Sequence, residues 1–172
     1  MNGLIIVPAR KGSKRLKNKN KLLFLKRPLI EHTFQFAHKI KLTSNILLST
    51  DDSEIYKIGI KNKILTPWLR PRKISKDRSK SISFVLHAIN WFEKEFSKLD
   101  YIILLQPTSP FRKIKTILDM FRIFKKKKTS IASFTKNLDK EKKRYYIINK
   151  KKIIKNSRSG FLANISGNIY IN

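Results

Sequence analysis

The chain of 172 residues contains no cysteine, and that absence excludes several kinds of site at once. Without thiols there are no disulfides, no thiolate-bound metals and no cysteine nucleophile. Long apolar runs are missing as well, since the longest, residues 101–105, covers about five residues and a membrane-spanning helix needs about 20. The apolar part of the N-terminus is too short for a signal peptide and is typical of a first strand. We therefore expect a protein that stays in the cytoplasm.

Acidic residues are scarce: 11 Asp and Glu stand against 40 Lys and Arg, which gives a net charge of +29. A field of that sign attracts polyanions such as nucleotides, nucleic acid or anionic lipid. Codon composition offers another explanation, because 30 Lys, 25 Ile and 12 Asn with only 5 Gly are what AT-rich codons supply. Both interpretations stay open. The 41% of hydrophobic residues can fill the core of one domain, so disorder as the default is excluded.

Apolar strands alternate with amphipathic helices along the chain. Strands are predicted at 4–8, 45–50, 101–105 and 130–134, and helices near 28–40, 79–96 and 114–124. The acidic run at 51–54 suits the N-terminus of a further helix. This alternation predicts a single α/β domain over residues 1–172 with a mainly parallel sheet. The apolar face of the helix at 79–96 is predicted to contain Ile82, Val85, Leu86, Ile89, Phe92 and Phe96.

The last third of the chain has weaker periodicity and dense Lys. A small hairpin is predicted around Asn149-Lys150, and Lys125 to Lys128 is typical of a solvated helix end. Residues 168–172 are typical of a strand.

Ligands of parallel α/β sheets bind beyond the carboxyl ends of the strands, and a basic loop occupies that place after the first strand. Residues 10–19 contain one Gly, one Ser and six basic side chains. Free backbone N–H groups and nearby positive charge suit a phosphate. The spacing is neither that of a P-loop nor GxGxxG, and a merely basic loop is the alternative.

A second polar loop, residues 106–112, follows the strand at 101–105. Its Gln, Thr and Ser suit a hydroxyl-rich ligand, and its Arg suits a carboxylate or phosphate. The alternative is structural, with Thr108 or Ser109 capping the next helix.

Five segments in this order resemble a known family: P-A-R-x-G-S-K, K-N, S-T-D-D, L-R-P and L-L-Q-P-T-S-P-x-R. Together they resemble the acylneuraminate cytidylyltransferases (CMP-sialic acid synthetases) and the relatives that activate legionaminic and pseudaminic acids. The final S-G-N-I-Y-I-N is similar to another strand of that family. The resemblance implies a Rossmann-like nucleotidyltransferase that transfers CMP from CTP to a nonulosonic sugar acid and releases pyrophosphate. It also implies Mg²⁺ and a homodimer, with residues 136–164 as the dimerisation arm.

The resemblance also implies roles for individual residues. The positions that match the triphosphate-binding residues are Arg10, Ser13 and Lys19. Of these, Arg10 and Lys19 are the predicted catalytic cations, because charge builds on phosphate oxygens during transfer. The positions near the cytosine are Asn20 and Arg70. The positions that hold the sugar are Gln106, Thr108 and Ser109.

The sequence departs from the family pattern in its acidic residues. The family's metal-binding D-x-D is absent, so no metal ligand is assigned, and a catalytically weak or inactive nucleotide- or sugar-acid-binding remnant is the alternative function. Asp51 and Asp52 could approach a ligand or cap a helix, and Asp77 is expected to cap the helix near residue 79.

Other charged or titratable side chains have structural interpretations. For Arg70 the alternative is a surface Arg held by Pro71. The histidines, His32, His38 and His87, match no motif and are expected to be structural. No membrane contact is expected, and nucleic acid is not an expected partner, because no aromatic–basic interleaving is present.

Overall fold

A computed structural model of the protein describes residues 1–12, 16–128, 130–137, 146–149, 152–155 and 162–171. The strands are β1 (Gly3–Ala9), β2 (Leu23–Phe24), β3 (Arg27–Pro28), β4 (Ile46–Thr50), β5 (Tyr101–Leu104), β6 (Ile131–Asn137), β7 (Tyr146–Asn149), β8 (Lys152–Lys155) and β9 (Leu162–Ile171). The helices are α1 (Leu29–Ile40), α2 (Ser53–Lys61), α3 (Ser81–Glu95) and α4 (Ile114–Lys127). No described helix is both long and apolar enough to cross a membrane.

The main sheet has a parallel half and an antiparallel half. In the parallel half β1 is central, with β4 on one side and β5 on the other. The chain therefore reverses its direction across the sheet at β1, which makes the crevice beyond β1 and β5 the topological switch point. In the antiparallel half β9 pairs with β5, β6 and β7.

The hairpin predicted around Asn149-Lys150 is confirmed, because β7 and β8 pair antiparallel with Asn149 opposite Lys152. Much of the predicted arm at 136–164 lies outside the described residues.

Each strand of the parallel half is buried on both faces, as expected for a sheet covered by helices on both sides. Successive residues of β1 alternate between two cores: Ile5 and Val7 pack with α1, α2 and α4, while Leu4 and Ile6 pack with α3. The predicted α/β alternation is thus confirmed as three layers, helix–sheet–helix.

Gly3 illustrates how closely the strands of the parallel half pack. A Cβ added to Gly3 would lie 2.1 Å from the Tyr101 ring, so no other residue fits there without displacing it. The Tyr101 hydroxyl donates a hydrogen bond of 2.8 Å to the Leu42 carbonyl, which fixes the ring over the glycine.

The predicted apolar face of α3 is partly wrong. Ile82, Leu86 and Phe96 are 51%, 47% and 59% exposed. The buried row contains Phe84, Val85, Ala88, Ile89 and Phe92. Relative to the prediction, the helix is rotated so that the row Phe84, Ala88 and Phe92, spaced i, i+4 and i+8, faces the core. The sequence analysis did not single out this row.

The predicted end of α4 is confirmed. The helix ends at Lys127 with Lys128 as its left-handed C-cap, and the side chains of Lys125 to Lys128 are exposed. Cations at this end oppose the negative pole of the helix.

Candidate active site: a two-walled cleft at the switch point

A cleft of about 180 Å³ opens at the carboxyl ends of β1 and β5. Complete pockets for small ligands measure about 300–1,000 Å³, so the enclosed part suits a base or sugar and the rest of a ligand would lie in the open mouth. The described residues that line it are Pro8, Arg10, Lys19, Asn20, Arg70, Ser81, Phe84, Gln106, Pro107 and Thr108. We call Arg10, Lys19, Asn20 and Arg70 the basic wall, and Gln106, Pro107 and Thr108 the neutral wall.

The turn at 16–22 presents Lys19 and Asn20 to the cleft. Its backbone is closed by Lys21 N–H donating to Asn18 O at 2.8 Å and by Ile30 N–H donating to Asn20 O at 3.1 Å. The Asn20 side chain is 6% exposed, and its Oδ1 has no hydrogen-bond partner within the described part of the chain. A buried acceptor without a partner is costly, so this atom is available for a donor on a ligand.

Lys21 anchors the same turn to the N-terminus of α2. Its Nζ lies 3.0 Å from a Glu54 carboxylate oxygen and 3.3 Å from an Asp52 oxygen. The hydrogen bond to Glu54, with help from Asp52, raises the pKa of Lys21 against the opposing effect of burial. Asp52 also caps α2, because its Oδ1 accepts from the N–H groups of Glu54 at 2.9 Å and Ile55 at 3.3 Å. The helix-cap interpretation is therefore confirmed for Asp52.

Asp51 has a different partner from Asp52. Its Oδ1 accepts a hydrogen bond of 2.7 Å from the Lys11 N–H, which fastens the loop after β1 to the end of β4. Asp51 thus helps to shape the loop on which Arg10 sits.

Arg10 forms an ion pair with Asp77 at the mouth of the cleft. Both side chains are about one-third exposed, at 35% and 38%. The expectation that Asp77 caps the helix near residue 79 is wrong, because the N-cap of α3 is Lys80, whose side chain makes no capping hydrogen bond. A carboxylate so close to Arg10 holds the guanidinium in the position where an anionic ligand group would otherwise bind it.

Arg70 is 5% exposed, so the alternative of a surface arginine is wrong. Its Nε donates to Ser49 Oγ at 3.0 Å, its Nη2 donates to the Ser49 carbonyl, and its guanidinium lies 4.7 Å from the centre of the Phe84 ring. Burial lowers the pKa of Arg70 to about 10; Arg10 adds to this effect and Asp51 opposes it. Its backbone is also fixed, because its N–H donates to the Thr50 carbonyl at 2.6 Å.

The neutral wall is a turn directly after β5. The Leu105 N–H donates to Ile6 O at 3.0 Å, which extends the sheet, and the Ser109 N–H donates to Gln106 O at 3.2 Å, which closes the turn. The expected cap of the next helix by Thr108 or Ser109 is wrong, since the N-cap of α4 is Lys113 without a side-chain bond.

The described residues that line the cleft include three cationic side chains, Arg10, Lys19 and Arg70, and no carboxylate. Such a cleft favours an anionic ligand on its basic wall, while the amide and hydroxyl of the neutral wall suit a polyhydroxylated one.

The donor set does not fit a resident metal ion. Within the described ranges no group of three His, Cys, Asp or Glu side chains could hold one. Asp52 and Asp77 are already paired with Lys21 and Arg10. The sequence analysis assigned no metal ligand, and the described residues supply no candidate set.

Six of the predicted site residues meet around this one cleft: Arg10, Lys19, Asn20, Arg70, Gln106 and Thr108. Ser13 lies outside the described residues. Ser109 is not among the residues that line the cleft, and its described role is to close the turn. Sequence reasoning missed Ser81 and Phe84, which the first turn of α3 brings to the cleft.

A family model described as cytidylyltransferase matches residues 4–161. The chain belongs to the cytidylyltransferase family. Curated members similar to it include the CMP-N,N'-diacetyllegionaminic acid synthase of Legionella pneumophila, 38% identical over 133 residues that cover 77% of this chain and 57% of the relative. The N-acylneuraminate cytidylyltransferase of Escherichia coli is 32% identical over 121 residues, which cover 70% of this chain and 28% of the relative. The chain thus matches little more than half of the first relative and less of the second.

The fold agrees with that membership. The solved structure of a CMP:2-keto-3-deoxy-manno-octonic acid synthetase complexed with CTP has a TM-score of 0.78 at 15% identity, covering 99% of this chain and 74% of that one. At this identity the likeness concerns the fold alone, and it confirms the predicted Rossmann-like nucleotidyltransferase architecture.

Proposed function

We propose that this member of the cytidylyltransferase family transfers CMP from CTP to a nonulosonic sugar acid and releases pyrophosphate. The observation that carries the proposal is the meeting of a basic and a neutral polar wall in one cleft at the switch point. The relatives that share its sequence are named for CMP-legionaminic acid and N-acylneuraminate chemistry, which supports this substrate class.

In this proposal the basic wall binds the nucleotide. Arg10 and Lys19 bind the triphosphate, and Asn20 and Arg70 lie against the cytosine. The free Oδ1 of Asn20 can accept a hydrogen bond from the exocyclic amine of cytosine. Uracil has no amine at that position, so the site would favour CTP over UTP.

The transfer forms one bond and breaks another. The anomeric hydroxyl of the sugar acid attacks the α-phosphorus and loses its proton, while the bond from the α-phosphorus to the bridging oxygen breaks and pyrophosphate leaves. Negative charge grows on the phosphate oxygens and the leaving group, where Arg10 and Lys19 offset it. Before the nucleotide binds, Asp77 neutralises Arg10, and a phosphate would take over that role.

Gln106, Thr108 and Ser109 remain the predicted sugar-binding residues. Of these, Gln106 and Thr108 line the cleft together with the residues of the basic wall. Ser13 remains a predicted triphosphate ligand. We further propose a cytoplasmic homodimer with residues 136–164 as its arm, as the family resemblance implies. A requirement for Mg²⁺ also stays a prediction, and no step above depends on a metal ligand of this chain.

A second candidate function is binding of nucleotide and sugar acid without efficient transfer. It is favoured by one observation: the described residues of the cleft include no carboxylate that could hold the metal of a triphosphate.

Two measurements test the proposal. Isothermal titration would compare CTP, UTP, ATP, CMP and CMP-N,N'-diacetyllegionaminate, and we expect CTP to bind more tightly than UTP and the CMP-sugar more tightly than CMP. Pyrophosphate release with CTP, Mg²⁺ and a panel of nonulosonic acids would then separate transfer from binding alone. Equal affinity for all the nucleotides, with no gain from the sugar, would contradict both candidate functions.

A further inference from the structure

Another arginine, Arg112, is half-buried and lies outside the cleft lining. Its Nη2 donates to the Gln106 carbonyl, and its Nη1 lies 3.5 Å from Thr33 Oγ1. Its guanidinium also lies 5.8 Å from the centre of the Phe36 ring. All three contacting groups are uncharged. Gln106 belongs to the neutral wall, and Thr33 and Phe36 belong to α1.

The placement of Arg112 is expensive for a merely structural role. Burial lowers the pKa of Arg112 to about 10. Its Nε–H is buried and has no hydrogen-bond partner among the described residues. Desolvating a cation against a carbonyl, a hydroxyl and a ring costs free energy that an apolar residue at this place would avoid.

The Gln106 carbonyl accepts two hydrogen bonds, one from Arg112 and one from the Ser109 N–H at 3.2 Å. Both of its lone-pair directions are therefore used, and the Gln106 peptide plane is fixed relative to the turn and to α1. The side chains of Gln106 and Thr108 project from this fixed turn into the cleft. Thr33 is fully buried, so the other end of the connection is rigid as well.

We propose that Arg112 is a positioning residue that acts through the Gln106 carbonyl and sets the geometry of the neutral wall for the sugar acid. The proposal rests on the proposed function, since it assigns the neutral wall to the sugar. Arg112 takes no part in nucleotide binding, and lysine cannot replace it, because one ammonium group cannot reproduce a planar fork that reaches two fixed acceptors.

The test measures how much the sugar adds to nucleotide binding. The quantity is the ratio of the dissociation constants of CMP and CMP-N,N'-diacetyllegionaminate, measured by isothermal titration for each variant. For Arg112→Lys we expect this ratio to fall about five- to tenfold, the effect of one lost hydrogen bond, with the dissociation constants of CMP and CTP within twofold of wild type. Thr33→Val removes only the weaker contact of Arg112 and should move the ratio in the same direction by a smaller factor.

The matched control is Arg122→Lys, because Arg122 is an exposed arginine on α4 that pairs with Asp119. It should leave the ratio and both affinities unchanged. A spectroscopic readout accompanies the titrations: in ¹H–¹⁵N spectra Arg112→Lys should shift the side-chain amide signals of Gln106 and leave those of Asn20 in place.

The outcomes separate the two proposals. If wild type binds the CMP-sugar no more tightly than CMP, the sugar assignment of the neutral wall fails, and the role of Arg112 fails with it. If wild type shows the gain and Arg112→Lys keeps it, only the positioning role is overturned. A parallel loss of affinity for CMP and the CMP-sugar would also overturn it, because that result indicates a general effect on the fold.

Discussion

The basic wall and the neutral wall of the cleft differ in charge and in what holds them. Ion pairs fasten the basic wall: Arg10 pairs with Asp77, and Lys21 joins the turn at 16–22 to the N-terminus of α2. The neutral wall is fastened through main-chain carbonyls and the stiff Pro107. Ion pairs between partly exposed groups exchange readily for ligand phosphates, whereas a turn fixed by its own peptide bonds does not rearrange. This difference supports the proposal that the charged wall binds the nucleotide and the neutral wall binds the sugar.

Each wall is supported by one arginine that is withdrawn from water, Arg70 almost completely and Arg112 in part. Arg70 and Arg112 have equally lowered pKa values of about 10, and burial is the main cause for both. Arg70 also lines the cleft, whereas Arg112 reaches only the back of the neutral wall. The two arginines thus have similar pKa values but different places in the molecule, and we propose different roles for them, direct contact and positioning.

The largest effect is expected from Lys19→Ala, which removes a cation from the basic wall. CTP affinity should fall about 10- to 100-fold, because hydrogen bonds to charged groups contribute about 1.5–3 kcal/mol. Cytidine affinity should hardly change, since cytidine has no phosphate to lose. Titration of CTP and cytidine checks this, with Lys17→Ala, an exposed lysine of the same loop, as the control. Equal losses for both ligands would contradict the assignment of Lys19 to the triphosphate.

Arg70→Met tests the opposite end of the basic wall. We expect cytidine and CTP to lose affinity by the same factor, about tenfold, because the proposal assigns Arg70 to the base rather than to the phosphates. The unfolding temperature should fall, because two acceptors of the fully buried Ser49 lose their donors, and the relief of guanidinium desolvation offsets only part of that cost. If only CTP lost affinity, Arg70 would instead be assigned to the triphosphate.

Gln106→Ala should affect only the neutral wall. The gain in affinity from CMP to its CMP-sugar should fall about fivefold, the effect of one neutral hydrogen bond, and CTP affinity should stay within twofold of wild type. The alanine keeps the Gln106 carbonyl and therefore the bond from Arg112, so the turn itself should remain intact. If CTP affinity falls as far as the sugar gain, the two walls do not divide the substrates.

The sequence was sufficient to predict the cleft where local rules decide the structure. Both loops follow strands of a parallel sheet, and such strands place their carboxyl ends at one edge, so Arg10 and Gln106 had to meet. The helix start at Pro28 and the cap at Asp52 are equally local features. The resemblance to a family then selected the individual side chains.

The parts that the sequence did not predict depend on contacts between distant segments. Asp77 was expected to cap a helix, yet it meets Arg10, 67 residues away. Phe84 joins the cleft because α3 is rotated toward it, and Arg70 is buried because Ser49 and Phe84 enclose it. A row of apolar residues at i, i+4 and i+8 from Phe84 could have indicated the rotation. No local sequence pattern predicts the ion pair between Arg10 and Asp77.

The smallest effect concerns pH and a histidine behind the basic wall. The His87 ring lies edge-on to Trp68, with ring centres 4.3 Å apart, and its buried Nδ1 makes no hydrogen bond within the described ranges. Burial first, and the positive charge of Arg70 second, lower the pKa of His87 below its usual 6.5. The unfolded chain therefore binds a proton at a higher pH than the folded chain does. The contribution of His87 to stability is complete above about pH 6.5 and is lost as the pH falls through the lower pKa of the folded state.

We therefore expect His87→Phe to flatten the decline of the unfolding free energy between pH 7 and pH 5, measured by urea denaturation at each pH. The aromatic contact with Trp68 would remain in this variant. His38→Phe is the control, because His38 lies exposed on α1, and its pH profile should follow that of wild type. The same protonation would add positive charge beside Arg70, behind the basic wall, while the sugar gain should stay constant over this pH range. A sugar gain that follows the same pH profile would show that the two walls respond together, and the comparison between them would then fail.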